Sequence, residues 1–245
     1  MTRISLALFT LVLVSAATAL AQAPPAAPKI WTIAASAGLA LTSGNSDTHT
    51  INAAYDLTYD PKTRNMVKSD GLLLRGETEG TTSANRLGLN VRDEYRISTR
   101  TFVFGQNQYL RDQFKNIDYL LAPGGGIGYR MFDSEATKLS VDAGIGGVWE
   151  KNPDVDVRAS GAVTVSEKFM HALTSTATVT QTFAGLWKTR DWDDSLLTFG
   201  AGIAVAISAR TQLKVEVLDT YKALPPLPSV EKNDVAVLMA VVYKL

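Results

Sequence analysis

The sequence contains no cysteine and only two histidines among its 245 residues. Without cysteine the chain can form neither a disulfide nor a thiolate metal site, so its stability must come from packing or from closure of a sheet. Basic and acidic residues number 24 each, and this balance argues against a nucleic-acid partner. Beyond the N-terminal segment there is no apolar run of about 18 residues, which excludes a membrane-spanning helix there. The mean hydropathy of +0.03 fits a soluble protein or a β-barrel.

The N-terminal segment has the features of an export signal. Arg3 precedes an apolar run from Ile4 to Val14, and Ala19-Leu20-Ala21 fits a cleavage site. The run is short for a membrane anchor, which needs about 20 apolar residues. We therefore predict that residues 1–21 are a cleaved signal peptide and that residues 22–29, rich in Ala and Pro, are a loose periplasmic leader. Residues 30–245 would then form one domain.

The end of the chain has the pattern of a long strand. Every odd position from Val235 to Leu245 is large and apolar, and alternate side chains of a strand lie on one face. A terminal strand of this kind favours a closed sheet, because an open one would leave an aggregation-prone edge. The pattern and Tyr243 also resemble the C-terminal signal of outer-membrane barrels, although Leu245 stands where that signal most often has Phe or Trp. The resemblance implies the barrel-assembly machinery as a partner.

Segments of about ten to fourteen residues with a period of two recur along the rest of the chain. In the stretch from Met170 to Phe183, for example, threonines occupy alternate positions. In a membrane barrel the apolar face contacts lipid and the polar face lines the lumen. The pattern predicts an all-β fold, namely a closed antiparallel up-and-down transmembrane β-barrel of about twelve strands. A soluble periplasmic β-rich binding protein is the alternative, because its strands would show the same alternation.

The turn signals favour the barrel through the lengths of the connections. Short connections are expected at residues 61–65, 98–100, 132–137, 166–169 and 208–210. Longer ones are expected between them, at residues 113–118, 151–154, 184–194 and 223–234. Short periplasmic turns and longer outer loops are typical of outer-membrane barrels. Aromatic residues such as Trp31, Tyr95 and Tyr243 fall near predicted strand ends, where interfacial girdles form.

Three consecutive glycines, Gly124 to Gly126, interrupt one predicted strand. They would weaken a strand of a soluble domain. In a small barrel, glycine lets a strand coil sharply or leaves room for bulky interior side chains. The glycines are therefore compatible with the predicted barrel.

Charged residues occupy the polar face of several predicted strands, so a closed barrel would direct them into its lumen. The candidates for lining the lumen are Arg86, Arg92, Glu94, Arg96, Glu150, Asp156, Arg158, Lys214 and Glu216. Twelve strands enclose a lumen between that of a filled eight-stranded barrel and that of an open porin. The mixed charges form either ion pairs that fill and stiffen the barrel or the walls of a narrow water-filled path.

The sequence offers no clear catalytic or metal-binding group. The connection order places His49 and His171 at opposite ends of the barrel, so they cannot share a site. His49 lies near Asp47 and Ser46, which raises the alternative of a rim-located hydrolase, but neighbours in a turn do not form a triad. We therefore expect no enzyme activity, no cofactor and no metal. The charged segment from Lys188 to Asp194 could contact lipopolysaccharide or a divalent ion.

The segment from Gly38 to Thr48, in which a strand enters a Thr-Ser-Gly-Asn-Ser-Asp turn, resembles the opening of the salt-induced outer membrane proteins, a family with a domain of unknown function. The resemblance implies a bacterial outer-membrane barrel exported by its signal peptide, with outer-membrane lipids and lipopolysaccharide as its surroundings. It also implies a link to salt or osmotic conditions. We expect a narrow pore or an envelope-structural barrel.

Overall fold

The computed structural model describes residues 29–43, 48–78 and 81–245 and shows one closed sheet of twelve antiparallel strands. The strands are β1 (Trp31–Ser43), β2 (Thr48–Tyr59), β3 (Asn65–Thr78), β4 (Thr81–Arg96), β5 (Thr101–Asp112), β6 (Ile117–Asp133), β7 (Thr137–Lys151), β8 (Arg158–Ala172), β9 (Ala177–Lys188), β10 (Asp191–Ala206), β11 (Thr211–Lys222) and β12 (Asn233–Lys244). Each pairs with its neighbours along the chain, and β1 pairs with β12 to close the barrel. The predicted closed up-and-down barrel is confirmed.

The termini and the connections between strands define the two ends of the barrel. Lys29 Nζ donates a hydrogen bond to the backbone oxygen of Leu245, so the described N-terminus and the C-terminus lie at the same end. We call this the inner end. It also carries the connections at residues 60–64, 97–100, 134–136, 173–176 and 207–210. The outer end carries residues 113–116, 152–157, 189–190 and 223–232. The predicted signal peptide and all but the last residue of the predicted leader lie outside the described residues.

Alternate side chains face the lumen, and the alternation stays in phase around the sheet. Even-numbered residues pair with even-numbered residues, as in Asn52 opposite Leu74 and Arg86 opposite Asp112, except at four local register shifts. Even positions such as Arg86 are buried in the barrel, whereas large apolar residues at odd positions, such as Ile145, are exposed on its outside. Away from these shifts, the number of a strand residue therefore tells which way its side chain points.

Glycines of β6 lie at positions where a side chain would not fit. Phe102 lies against Gly128 inside the lumen, where a Cβ on the glycine would be 2.2 Å from the Phe102 ring. At Gly126 a Cβ would be 2.1 Å from the Ala143 carbonyl oxygen, so β6 and β7 approach each other too closely for a side chain there. The room for a bulky interior side chain is found at Gly128 rather than at Gly124 to Gly126, and sharp coiling of the strand at the three glycines stays a prediction.

Two predicted connections are wrong. The polar residues 166–169 lie inside β8, where Ser166 and Lys168 line the lumen, and the chain reverses at residues 173–176. The charged segment assigned to a long loop at residues 184–194 is mostly part of β9 and β10, whose connection is only residues 189–190. That outer connection is shorter than the inner one at residues 207–210, so the predicted alternation of short and long connections fails.

Candidate functional site

The inner half of the lumen contains an ion-pair network centred on Glu94 of β4. Glu94 Oε1 lies 2.8 Å from Lys68 Nζ and 3.1 Å from Arg92 Nε, and its Oε2 lies 3.3 Å from an Arg130 terminal nitrogen. Arg92 also reaches Asp142 at 2.8 Å. We call these five residues the inner network. Burial of Arg92 and Glu94 is compensated because each has oppositely charged partners, which come from β4 itself and from β3, β6 and β7.

Aromatic rings hold the arginines of the inner network in place. The Arg92 guanidinium carbon lies 3.6 Å from the centroid of the Phe104 ring, and that of Arg130 lies 4.9 Å from the centroid of Phe102. Both distances are within the range of cation–π attraction. Gly128 leaves the space into which Phe102 fits. The inner network is therefore a packed cluster rather than a ring of loose charges.

A separate contact lies at the inner rim, between the end of β4 and the connection that joins β2 to β3. Asp60 Oδ2 accepts from Arg96 at 2.8 Å and from Lys62 at 3.1 Å. Partial burial raises the pKa of Asp60, but the hydrogen bonds from Arg96 and Lys62 outweigh it and lower the pKa from 3.8 to about 2. Arg96 thus ties the end of β4 to the connection between β2 and β3.

The outer half of the lumen contains a second network, formed by Glu150, Lys188, Asp194 and Lys222. Glu150 lies 2.8 Å from Lys188 Nζ and 2.9 Å from Lys222 Nζ. Asp194 forms ion pairs with the same two lysines. Glu150 and Lys222 are at most 2% exposed. We call these four residues the outer network; its two positive and two negative side chains come from β7, β9, β10 and β11 and meet inside the barrel.

The turn at residues 113–116 folds into the outer end of the lumen, and we call it the capping turn. Lys115 is fully buried, and its Nζ reaches Asp234 at 2.7 Å and the backbone oxygen of Lys232 at 2.8 Å. Asn152 donates to the Asn116 carbonyl at 2.9 Å. Phe114 is 8% exposed and packs among lumen-facing side chains. The capping turn and the outer network thus both lie at the outer end of the lumen.

Apolar residues form a layer beneath the outer network. Its leucines lie at even positions, and they are Leu72, Leu110, Leu120, Leu186, Leu196, Leu218 and Leu238. Two buried clusters include most of them, one around Leu120 and Leu186 and the other around Leu218 and Leu238. We call this set the leucine layer. Its position inside the lumen differs from the polar interior typical of outer-membrane barrels.

The centre of the lumen is not filled. A cavity of about 440 Å³ lies between the leucine layer and the polar inner half. Asp56, Asp70, Asn90 and Lys168 are among the polar residues of its wall, and Lys214 forms a 2.7 Å ion pair with Glu216 there. The lumen thus has closely packed ionic clusters and a central space that water or a small molecule can occupy.

The structure brings most of the sequence-derived lumen candidates into the barrel. Arg86, Arg92, Glu94, Glu150, Lys214 and Glu216 face the lumen. Arg96 lies at the inner rim, where it contacts Asp60. Arg158 is an exposed residue at the start of β8, and Asp156 is exposed in the connection before it. The connection predicted at residues 151–154 extends from residue 152 to residue 157, so the prediction that Asp156 lies in a strand and lines the lumen is wrong.

The two histidines lie near opposite ends of the barrel. His49 lies in β2 next to the outer end and His171 in β8 next to the inner end, so the two are far apart. His171 Nδ1 contacts Thr137 Oγ1 at 2.8 Å. In the part of the chain that the structure describes, no group of three or more His, Cys, Asp or Glu residues is arranged to hold a metal ion. Over residues 29–43, 48–78 and 81–245, no helix is long and apolar enough to cross a membrane.

Sequence reasoning missed several residues of the lumen. Lys188 and Asp194 fall in the segment that was predicted to be a long loop, and Lys222 is not among the predicted lumen residues. Lys115 lies in a turn, for which alternation gives no direction. For the leucine layer a signal was present, since its members share the even parity of the charged residues. This signal was not used because the lumen of an outer-membrane barrel is expected to be polar.

Comparison with known proteins supports the fold. Residues 35–245 match the family described as "Protein of unknown function, DUF481", whereas the curated proteins gave no match. Among solved structures, the NanC porin aligns with TM-score 0.57 at 8% identity, over 88% of this chain and 100% of its own. The COG4313 outer membrane channel from Pseudomonas putida F1 aligns with TM-score 0.51 at 15% identity, over 90% and 97%. A KdgM porin in complex with disordered oligogalacturonate aligns with TM-score 0.50 at 7% identity, over 87% and 99%.

Proposed function

Since the chain belongs to the DUF481 family, whose description assigns no activity, we propose a function from the lumen itself. The protein is an outer-membrane barrel that provides a narrow passage for small solutes, and the capping turn and the outer network close this passage at the outer end. Its inner end faces the periplasm. The observation that carries the proposal is the cavity of about 440 Å³ that remains inside a closed barrel.

The outer surface of the barrel supports the membrane location. Large apolar side chains at odd positions are exposed along many strands, including Ile51, Ile127, Ile145, Ile203 and Val241. A soluble protein rarely exposes so continuous an apolar surface, and lipid is the environment in which it is stable. Exposed Trp31, Tyr95, Tyr129 and Tyr243 near the inner end are suited to the interface between lipid and water. These features disfavour the soluble binding protein considered from the sequence.

The contents of the lumen support a closable passage. A barrel with a purely structural role would be expected to fill its interior, as small eight-stranded barrels do. Here the packed clusters lie at the inner and outer levels, and the cavity lies between them. The outer closure depends on one turn and on ion pairs, both of which can rearrange without breaking the strand ladder.

The remaining parts of the proposal concern activity and regulation. The protein acts as a passage and not as an enzyme. A link to salt or osmotic conditions comes from the family resemblance of the segment from Gly38 to Thr48. Protein abundance in cells grown at low and at high salt tests that link, because an unchanged abundance would remove it.

Planar-bilayer conductance of the refolded barrel tests the passage. The variant Phe114→Ala/Lys115→Ala removes the two buried side chains of the capping turn, and we expect larger or more frequent current steps than in the wild type. Leu224→Ala changes an exposed residue of another outer connection and is the matched control, with wild-type steps expected. A folded barrel that is silent in all three forms would contradict the passage.

A further inference from the structure

The leucine layer is a feature that a passage for polar solutes does not require. Its members lie in the outer halves of their strands and form the apolar side of the central cavity. Water forms no hydrogen bonds with an apolar wall, whereas an apolar molecule is stabilised when its surface leaves water and contacts such a wall. At about 440 Å³ the cavity is within the range of small-molecule sites, about 300–1,000 Å³.

Two buried hydrogen-bond donors on the cavity wall lack acceptors. Asn52 Nδ2 and Arg86 Nε have no hydrogen-bond partner, although the residues are only 5% and 9% exposed. They flank Leu74, because Asn52 and Arg86 both pair with that residue from the strands on either side. A buried donor without an acceptor costs about 1–3 kcal/mol, so an acceptor supplied by a ligand would be favoured here.

The charges of Arg86 and of the cavity wall fix the orientation of such a ligand. Asp112 at 3.1 Å and Thr220 at 2.7 Å both contact Nη1 of Arg86, which leaves its Nε without an acceptor oxygen. Asp56 and Asp70 face each other four residues further toward the inner end, about 13 Å from the level of Asn52 and Leu74. An acceptor head would avoid these carboxylates and lie at the level of Asn52.

We propose that the cavity binds a small amphiphile. Its apolar body contacts the leucine layer, and a carboxylate or carbonyl oxygen accepts hydrogen bonds from Asn52 and Arg86. This assignment rests on the proposed function, because it names the class of solute that enters the passage. It is tested by binding alone, without any measurement of current.

Isothermal titration of the refolded barrel in maltoside micelles tests the proposal, with empty micelles as the blank. Octanoate is the probe. Acetate has the same head without the apolar body, and octylammonium has the same body with a head that only donates. We expect octanoate to bind at least about tenfold more tightly than acetate, because acetate buries no apolar chain. We expect a similar ratio over octylammonium, because its head cannot accept a hydrogen bond from the charged Arg86.

Variants locate the site. Asn52→Leu keeps the side-chain size and removes the donor, and we expect about a tenfold loss of octanoate affinity. Leu120→Asn places a polar group in the leucine layer and should weaken octanoate binding as well. Asn107→Leu makes the same change as Asn52→Leu on the outside of the barrel and is the matched control, with unchanged affinity expected. Heat-modifiable gel mobility verifies that each variant is folded.

Three results would overturn the proposal: equal octanoate affinity in wild type and Asn52→Leu, tighter binding of octylammonium than of octanoate, or no saturable heat with octanoate. The second result would instead identify Asp56 and Asp70 as the head-group site. The two proposals fail separately. A silent barrel that binds octanoate contradicts only the passage, and a conducting barrel without octanoate binding contradicts only the amphiphile site.

Discussion

Lys222 Nζ and Glu150 Oε1 lie 2.9 Å apart inside the barrel, although 72 residues separate them in the sequence. β7 and β11 are four places apart in the sheet, so this contact spans the lumen rather than joining neighbouring strands. Lys188 and Asp194 reach the same point from β9 and β10. The contact therefore braces one strand against another through the interior.

Loss of the cation from this contact should destabilise the barrel. In Lys222→Met, Glu150 and Asp194 would share only Lys188, and an incompletely compensated buried charge costs about 3–5 kcal/mol. We expect a lower urea midpoint for unfolding in lipid vesicles, followed by tryptophan fluorescence. The double variant Glu150→Met/Lys222→Met removes both charges and should recover much of the loss. A single variant as stable as the wild type would contradict the brace.

Ion selectivity should depend on the inner network and not on the inner rim. Arg92→Ala leaves Glu94 and Asp142 with fewer cationic partners inside the lumen, so the permeability ratio of K⁺ to Cl⁻ should rise. Arg96→Ala removes a charge that pairs with Asp60 at the rim, and its ratio should remain near that of the wild type. Reversal potentials in a salt gradient measure both. A larger shift in Arg96→Ala would reverse the assignment.

The stability of the barrel should depend on the size of the side chain at position 128, which faces the Phe102 ring. Gly128→Leu would fill the space of the Phe102 ring, and overpacking of this kind costs about 1–3 kcal/mol. Phe102→Ala should relieve the clash, so the double variant should be more stable than Gly128→Leu alone in urea unfolding. Gly88→Ala is the control, because nothing lies within 4 Å of a Cβ there. Equal destabilisation at Gly88 would indicate a general intolerance of side chains.

Asp60 should contribute an acid-sensitive part of the stability. The pKa of Asp60 is lowered from its ordinary value of 3.8 to about 2 in the folded protein. Its contribution to the free energy of unfolding is therefore complete at pH values above 3.8 and is lost as the pH falls toward 2. Asp60→Asn should lower the urea midpoint at about pH 5, and the two proteins should converge as the pH decreases through this window. A difference that is constant with pH would show that the Asp60 charge is not responsible.

The sequence predicts the strands and most of their connections, but it misplaces the connections at residues 166–169 and 184–194. It identifies twelve strands and the closed sheet because the side-chain period of two persists for ten or more residues in most of them. It misplaces the reversal after β8, because Ser166, Glu167 and Lys168 look like a turn when taken alone. Polar residues that line a lumen are chemically the same as polar residues of a loop. Only pairing with β7 and β9 distinguishes them.

The partners of individual lumen charges could not be predicted. Parity shows that Arg92 and Glu150 point inward, but the identity of their partners depends on the tilt of the strands around the barrel. The pair of Lys115 with Asp234 depends in addition on how a turn folds into the lumen. A local pattern carries no information on either. The leucine layer was missed for a different reason. Its leucines occupy even positions, which indicates that they point inward, but a polar interior is expected of outer-membrane barrels.

The alternation of inward and outward side chains along each strand also limits which insertions and deletions the chain can accept. A single inserted codon within a strand would exchange the inward and outward positions of every residue between the insertion and the next connection. Arginines such as Arg92 would then face lipid, and valines would face water. Insertions of two codons preserve the sidedness, and insertions of any size in the exposed 223–232 connection leave the strands unchanged. The evolutionary history of such a chain is expected to show length differences concentrated in that connection, with those inside strands occurring in pairs.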